Sequence, residues 1–199
     1  ATTLSKEDHL DSDLLASCGQ PCPGVEVRIG DEQGRALPPG EIGEVLLRAP
    51  YTLREYHAAP ELTAQAFCDD WLRTGDVGYQ TDTGHLFLVD RKKDMIITGG
   101  MNVYSSEVEL VLHEHPMVRA AAVVGVPDPD WGEAVHAFFV ATEGLRAEEL
   151  LQFCRGRLAK YKAPKGVTPI EELPTTPYGK IDKKALRAAW LHANTGDEA

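Results

Sequence analysis

The sequence lacks the features of a membrane-spanning or exported chain. Its longest apolar runs, 120–126 and 135–141, are far shorter than the roughly 18 residues that a helix needs to cross a bilayer. The first residues also lack the charged, apolar and small-residue pattern of a signal peptide. We therefore expect a chain without a transmembrane segment, located in the cytoplasm.

Basic residues and paired cysteines are scarce as well. The chain has 20 lysines and arginines against 31 aspartates and glutamates, and its net charge of −11 argues against binding to nucleic acids. The cysteines form no CxxC pair and have no histidine at zinc-binding spacing; they are Cys18, Cys22, Cys68 and Cys154. We expect reduced thiols, as in intracellular proteins, and no metal site.

The chain is long enough for one large domain or two small ones. It has 199 residues, of which 43% are hydrophobic, and this suffices for ordinary packed cores. It begins with Ala1 rather than methionine, in a stretch that resembles neither a tag nor a helix start. We therefore expect a piece of a longer protein.

The first part of the sequence shows β-hairpin patterns. Residues 24–49 contain alternating polar and apolar stretches bounded by Gly, Pro and Asp, and a second hairpin turns at 82–84 and continues through 85–89. A short helix is predicted over 63–67. These features predict a β-rich, barrel-like subdomain over residues 1–92.

Helical and strand patterns alternate after residue 92. Ser106 and Glu109 form a possible capping box for a helix that Pro116 ends. Strands are predicted over 118–126, 135–140 and, at a sheet edge, 166–170; helices are predicted over 147–159 and after Asp182 as N-cap. The predicted fold class is α+β, with a small α+β domain over 93–199 joined to the β-rich part by a hinge.

The hinge is predicted in the run 90–102. This run places charged residues, a short apolar β-prone segment and the pair Gly99-Gly100 in series. The glycines permit a close approach of the backbone to a ligand or a positive φ, and a plain hairpin turn explains them equally well. The charged residues 90–94 also fit a solvated face.

Two further residues have side chains suited to binding a nucleotide. Asp76 follows Gly75 on a tight turn, where a carboxylate can accept hydrogen bonds from both hydroxyls of a ribose, although an Asx turn is the alternative. Lys180 follows the proline-stiffened loop 173–179. Its ammonium can neutralise a phosphate or carboxylate, although a surface lysine fits the pattern as well.

In combination, five ordered motifs resemble the AMP-forming acyl-CoA synthetases, a superfamily that also includes luciferases and the adenylation domains of peptide synthetases. The motifs are Trp71-Leu72-Arg73-Thr74-Gly75-Asp76, Asp90-Arg91-Lys92-Lys93-Asp94, Thr98-Gly99-Gly100-Met101-Asn102-Val103-Tyr104 with Glu107-Val108-Glu109, Gly125-Val126-Pro127-Asp128 with Trp131-Gly132-Glu133, and Pro174-Thr175-Thr176-Pro177-Tyr178-Gly179-Lys180-Ile181. The resemblance covers about residues 19–190.

The resemblance implies a role for each candidate residue. Asp76 would bind the ribose hydroxyls of ATP and acyl-AMP, and Arg91 would contact the nucleotide near the ribose. Lys93 would be the hinge residue about which the small domain rotates between two half-reactions. Lys180 would contact the substrate carboxylate and the α-phosphate during adenylation. The Gly99-Gly100 loop would line the tunnel through which the pantetheine of CoA reaches the acyl-AMP.

The sequence also departs from the family pattern. The phosphate loop rich in Gly, Ser and Thr, the acyl pocket and the Tyr-Gly-x-Thr-Glu stretch are absent. The resemblance thus implies the end of the large domain plus the whole small domain, inactive alone, with Mg²⁺ bound through ATP by residues outside this chain. Tyr178 and Met101 stand where the family commonly has other residues, so the subgroup stays open.

The implied reaction converts a fatty acid or related carboxylate, ATP and CoA to acyl-CoA, AMP and pyrophosphate. The run 90–97 most resembles the branch that acts on medium- or long-chain fatty acids. Two alternatives stay open: a freestanding adenylation domain that loads a carrier protein, and a non-catalytic interaction module.

Overall fold

The computed structural model describes residues 1–142 and 144–195. The chain forms two compact units, Ala1–Lys93 and Asp94–Ala199. Strands and helices occur in both, which confirms the predicted α+β class. None of the helices in the described residues combines the length and the apolar composition that a membrane span requires.

The first unit consists mainly of short antiparallel strands. They are β1 (Thr2–Thr3), β2 (Gln20–Pro21), β3 (Glu26–Gly30), β4 (Gly43–Arg48), β5 (Phe67–Cys68), β6 (Trp71–Gln80) and β7 (Leu86–Arg91). A single α-helix, α1 (Pro60–Gln65), precedes β5 in this unit, and 3-10 turns cover Asp8–Leu10 and Lys92–Asp94. The predicted short helix thus forms, but it begins earlier, at Pro60, whose fixed φ suits the first turn of a helix.

One five-stranded sheet organises this unit. Its order is β3-β4-β6-β5, and β7 also pairs with β6, so the long β6 has β4 along one edge and β5 and then β7 along the other. Within the described residues no ladder joins the outer strands. This β-rich subdomain is therefore an open sheet and not a closed barrel.

The apolar core of the first unit is small. Its apolar cluster contains buried Ile29, Val45 and Leu86 with four partly buried neighbours, and Val25, Leu46 and Val77 are buried as well. The buried Trp71 is held differently, by contacts with the guanidinium groups of Arg28 and Arg48, which lie 4.0 and 4.6 Å from its ring centroid. Cation–π contacts thus supplement apolar packing in this unit.

The second unit is a sheet with helices on both faces. Its elements are β8 (Ile96–Thr98), β9 (Met101–Val103), α2 (Ser105–His113), β10 (Val118–Asp128), β11 (Gly132–Ala141), α3 (Ala147–Arg155), β12 (Gly166–Pro169) and α4 (Lys183–Thr195). Strand β11 pairs antiparallel with β10 on one edge, and with the parallel β12 and antiparallel β8 on the other.

Both faces of β10 and β11 are buried. Ala121 and Val123 pack with α2, α3 and the β8–β9 hairpin in one apolar cluster, whereas Ala122 and Val124 pack with residues of α4 in another. Since successive side chains of a strand point to opposite faces, a strand covered on both sides must be apolar at every position. This explains the continuous apolar run that predicted β10.

Three helix predictions for the second unit have different outcomes. The capping box is wrong: α2 begins at Ser105, with Tyr104 at the N-cap position, because Glu109 is used elsewhere and accepts a hydrogen bond from the backbone N–H of Val123 (2.9 Å). The cap of α4 is confirmed, since Asp182 Oδ1 accepts the N–H of Ala185 at 3.0 Å. Helix α3 ends at Arg155 rather than at 159, just before Gly156.

Candidate functional site

Asp76 and Arg91, both predicted to contact a nucleotide, lie directly opposite each other on β6 and β7. Arg91 Nε is 2.6 Å from Asp76 Oδ1, and both side chains are partly exposed. The carboxylate also has lone pairs beyond the one that Arg91 occupies. A pair of this kind can offer acceptors to hydroxyl groups and a cation to an anionic ligand.

A bulge in β6 places Asp76. Gly75 has φ +72°, and the register between β4 and β6 shifts at this point. Thr74 Oγ1 donates to the carbonyl of Val45 (2.7 Å) and accepts the N–H of Asp76 (3.0 Å). A Cβ on Gly75 would meet no atom within 4 Å, so glycine is required here for its positive φ alone.

Glu44 is a charged residue that the sequence reasoning missed. It is only 6% exposed, and its Oε2 accepts from Arg73 Nη1 and from Lys92 Nζ, the latter at 2.9 Å. A buried carboxylate requires such partners. Lys92, from the charged run, is therefore tied to the first unit, whereas the sequence alone allowed a purely solvated face.

Lys93 lies at the division between the two units. It is exposed, in the 3-10 turn Lys92–Asp94, and the first compact unit ends at this residue. Its predicted role as a hinge concerns a motion and stays a proposal.

The pair Gly99-Gly100 forms the two-residue turn between β8 and β9, with φ of +57° and +77°. Positive φ at both central residues is typical of a hairpin turn of type I′. Gly99 also donates its N–H to the carbonyl of Trp131 (2.9 Å), and a Cβ on Gly99 would lie 2.5 Å from Cε3 of that indole. The two glycines therefore serve a turn that packs on Trp131.

A cavity of about 750 Å³ opens beside this turn, within the second unit. Its wall combines apolar, aromatic and basic side chains, and the aromatic and basic ones are Trp131, Arg155, Lys160, Tyr161 and Lys165. Lys165 Nζ lies 4.9 Å from the Trp131 ring centroid and 2.9 Å from Asp128 Oδ2. Aromatic faces next to cations suit a planar ligand with anionic groups.

The sequence contained a signal for this cavity that was missed. Residues 155, 157, 160, 162 and 165 are basic and no acidic residue lies among them, in a chain of net charge −11. Such a local cluster indicates an anion-binding surface.

Lys180 lies on a short hairpin-like loop. Thr175 and Ile181 form a β-bridge, the carbonyl of Thr176 accepts the N–H of Gly179 (2.9 Å), and the N–H of Thr176 donates to the carbonyl of Lys180 (2.7 Å). Lys180 itself is exposed, and in residues 1–142 and 144–195 no carboxylate pairs with its ammonium. The backbone of the loop is held while the charge faces solvent.

Lys180 and the Gly99-Gly100 turn belong to different loops of the second unit. Asp76 and Arg91 belong to the first. No group of three or more His, Cys, Asp or Glu side chains suited to a metal ion occurs in the part of the chain that the structure describes.

Two buried groups of the second unit have shifted pKa values, and neither is one of the candidate residues described above. Burial lowers the pKa of His136 to about 4 and raises that of the Cys154 thiol to about 11. Cys154 is thus a protonated core residue at neutral pH rather than a nucleophile.

Comparison with known proteins gives matches at both ends of the chain. Residues 107–180 match the family described as AMP-binding enzyme C-terminal domain, and residues 1–57 match the AMP-binding enzyme family.

The relatives include enzymes named as ligases and as CoA synthases. A fatty acid–[acyl-carrier-protein] ligase, ScoC of Streptomyces coeruleorubidus, is 44% identical over 87% of this chain and 34% of its own length. A feruloyl-CoA synthase of an Amycolatopsis species is 44% identical over 88% of this chain and 36% of its length. The ATP-bound structure of MatB from Rhodopseudomonas palustris is 37% identical with a TM-score of 0.83, over 88% of this chain and 36% of that one. The chain thus spans about a third of the length of the curated relatives it matches.

Proposed function

Because the chain carries AMP-binding and AMP-binding C-terminal domains and its relatives are ligases of the adenylate-forming superfamily, we propose that it forms the C-terminal part of an AMP-forming acid–thiol ligase. In the first step a carboxylate oxygen attacks the α-phosphorus of ATP, a P–O bond forms, and pyrophosphate leaves. In the second step a thiol, losing its proton, attacks the acyl carbon, a C–S bond forms, and AMP leaves. The proposed acid is a fatty acid or a related carboxylate.

The candidate residues divide between these two steps. Asp76 and Arg91 bind the ribose region of the nucleotide, and Lys180 offsets the negative charge where the carboxylate meets the α-phosphate. Two anions must approach each other there, so a nearby cation lowers the barrier. In the thiol step the Gly99-Gly100 turn provides a passage without side chains. Rotation about Lys93 exchanges the two loops, since a few hinge residues can absorb the backbone change of a domain motion.

The observation that carries the choice of CoA as acceptor is the cavity beside the Gly99 turn. The indole ring of Trp131 and the phenol ring of Tyr161 line the same cavity as the cationic side chains of Arg155 and Lys160. CoA carries an adenine ring and phosphates that match these two kinds of group. A pantetheine arm attached to a carrier protein has no adenine, so it offers no base to stack on the aromatic rings of this cavity.

Carrier loading is the second candidate, and one observation favours it. The similarity to the acyl-carrier-protein ligase ScoC is as high as that to the feruloyl-CoA synthase, 44% in both cases. Both candidates share the adenylation step and differ only in the thiol.

Binding of the acceptor distinguishes the two candidates. Titration calorimetry on this chain should show that CoA binds at least about tenfold more tightly than pantetheine, because two more charge-assisted contacts and ring stacking are worth more than 1.4 kcal/mol together. Removal of the 3′-phosphate from CoA, and the substitutions Arg155→Ala or Lys160→Ala, should each weaken binding. Lys184→Ala, at an exposed residue that does not line the cavity, is the matched control.

Equal binding of CoA and pantetheine would favour the carrier protein as acceptor. Absence of CoA binding, with a folded chain, would remove the cavity as the supporting observation.

A further inference from the structure

We infer that helix α2 positions the two reactive regions of the second unit independently, through two ion pairs: Lys183–Glu109 for the loop that carries Lys180, and Lys162–Glu107 for the wall of the cavity. This inference rests on the proposed function, and it adds positioning residues to each half-reaction.

The first ion pair joins the start of α4 to α2. Lys183 Nζ lies 2.6 Å from Ser105 Oγ and 2.7 Å from Glu109 Oε1, and the same carboxylate oxygen accepts the N–H of Val123 on β10 at 2.9 Å. Both charged side chains are mostly buried, with 17% and 21% exposure. Lys183 is therefore fixed to α2 at two points, and Glu109 links this contact to β10.

Lys183 is close in sequence to Lys180. The N–H of Asp182 donates to the carbonyl of Pro174 (2.8 Å), and the bridge between Thr175 and Ile181 closes the loop on itself. A hydrogen-bonded loop moves as one body, so the orientation of the segment at Lys183 sets the direction in which Lys180 projects.

The second ion pair joins α2 to the segment that lines the cavity. Lys162 Nζ is 2.7 and 2.8 Å from the two carboxylate oxygens of Glu107, and this hydrogen bonding raises the pKa of Lys162. Lys162 stands between Tyr161 and Ala163, both of which line the cavity. Loss of the pair would release the backbone that carries the phenol ring.

The two pairs leave α2 on opposite sides. Glu107 and Glu109 are two positions apart, and each residue turns a helix by about 100°, so their side chains diverge by about 200°. Apolar residues of α2, Val108 and Leu112, are fully buried in the core and hold the helix itself in place. Each pair can therefore be removed without the other and without loss of the helix.

The test measures the two half-reactions separately in the ligase that contains this chain. Lys183→Met should slow carboxylate-dependent pyrophosphate exchange by about tenfold or more, while thioester formation from supplied acyl-AMP changes by less than about twofold. Lys162→Met should do the reverse, with the loss appearing mainly as a raised KM for CoA. Glu109→Gln and Glu107→Gln should reproduce the respective patterns, and Lys183→Arg should restore most of the exchange rate.

The neighbouring exposed Lys184→Met is the control for both and should change neither step. Equal losses in both steps for Lys183→Met and Lys162→Met, or no loss in either with the fold intact by circular dichroism, would overturn the inference. If Lys183→Met does not fold, Glu109→Gln and Lys183→Arg decide instead. Failure of the proposed function has a different signature, because then Lys180→Ala itself would leave pyrophosphate exchange unchanged.

Discussion

The two units hold their candidate residues in different ways. In the first unit Asp76 and Arg91 are cross-strand neighbours inside the sheet, and the apolar cluster of this unit has only three buried members. In the second unit the Gly99-Gly100 turn and the Lys180 loop lie outside two apolar clusters that cover both faces of the sheet.

Because of this difference, only the second unit allows a candidate residue to be changed without an effect on stability. A change at Asp76 or Arg91 removes a cross-strand pair and a candidate ligand at the same time. A change at Lys180 removes a charge that no described residue uses in the fold. The comparison therefore predicts large functional effects with unchanged stability in the second unit, and coupled effects in the first.

The largest expected effect is at Lys180. Lys180→Ala should lower the adenylation rate of the complete ligase by about 10² to 10³, as loss of one charge-stabilising donor does in other enzymes. The melting temperature should stay the same, because the side chain is exposed. Pyrophosphate exchange and thermal unfolding measure the two quantities, and Lys184→Ala is the control. A lowered melting temperature would show that this loop contributes to the fold after all.

The second prediction concerns the stability of the second unit as a function of pH, which depends on the burial of His136. The pKa of His136 is about 4 in the folded chain because of burial, against 6.5 for an exposed histidine. Between these values the unfolded chain binds a proton that the folded chain does not, so stability is full above pH 6.5 and falls as the pH drops towards 4. The loss amounts to about 3 kcal/mol in the free energy of unfolding.

Urea unfolding across this pH range, compared with His136→Gln, isolates the contribution of the histidine from that of the acidic residues. His136 Nε2 lies 2.8 Å from Thr168 Oγ1, and its ring packs near Phe138 and Trp190. The variant should lose the part of the pH dependence between 4 and 6.5. The same slope in both proteins would mean that the histidine is not buried in its neutral form.

The third prediction concerns the polar network of the first unit. Glu44→Ala should destabilise the first unit by about 2 kcal/mol; this is less than for a fully buried pair, because Lys92 is 45% exposed and can be hydrated. Hydrogen exchange of the β4 and β6 amides reports on this unit separately. Glu41→Ala, at an exposed residue that precedes the same strand, is the control. An unchanged exchange rate would contradict the view that ion pairs supplement the small core.

The sequence predicted local features well and distant pairings poorly. The buried strand β10, the glycine turn at 99–100 and the cap by Asp182 all depend on neighbours in the chain, and each is present. The pairs Glu44–Lys92 and Glu109–Lys183 join residues far apart in sequence, and no spacing rule reveals them. The capping-box error has the same origin, since Glu109 fits a local pattern but serves a distant lysine.

In the candidate site, too, the sequence located single residues but not the contacts between distant ones. The motifs located Asp76, Arg91 and Lys180 along the chain, but not the salt bridge between the first two, which depends on the register of β6 and β7. The cavity was missed because its wall combines Trp131, just before β11, with the basic segment at the end of α3 and after it. Only the folded chain brings these segments together.

The smallest effect distinguishes the two glycines of one turn. Gly100→Ala should cost about 1 kcal/mol, the price of a positive φ for a residue with a Cβ. Gly99→Ala has the same backbone requirement and adds a Cβ 2.5 Å from the indole of Trp131, whereas nothing lies within 4 Å at Gly100. We expect a cost of about 2 kcal/mol at Gly99, because Trp131 is 50% exposed and can turn partly aside.

Urea unfolding gives the free-energy cost of both substitutions, and CoA binding shows a second difference between them. Displacement of Trp131 should weaken CoA binding in Gly99→Ala alone. Equal costs and equal binding in the two variants would mean that the turn is independent of the cavity wall, and the proposed link between this hairpin and the acceptor site would fail.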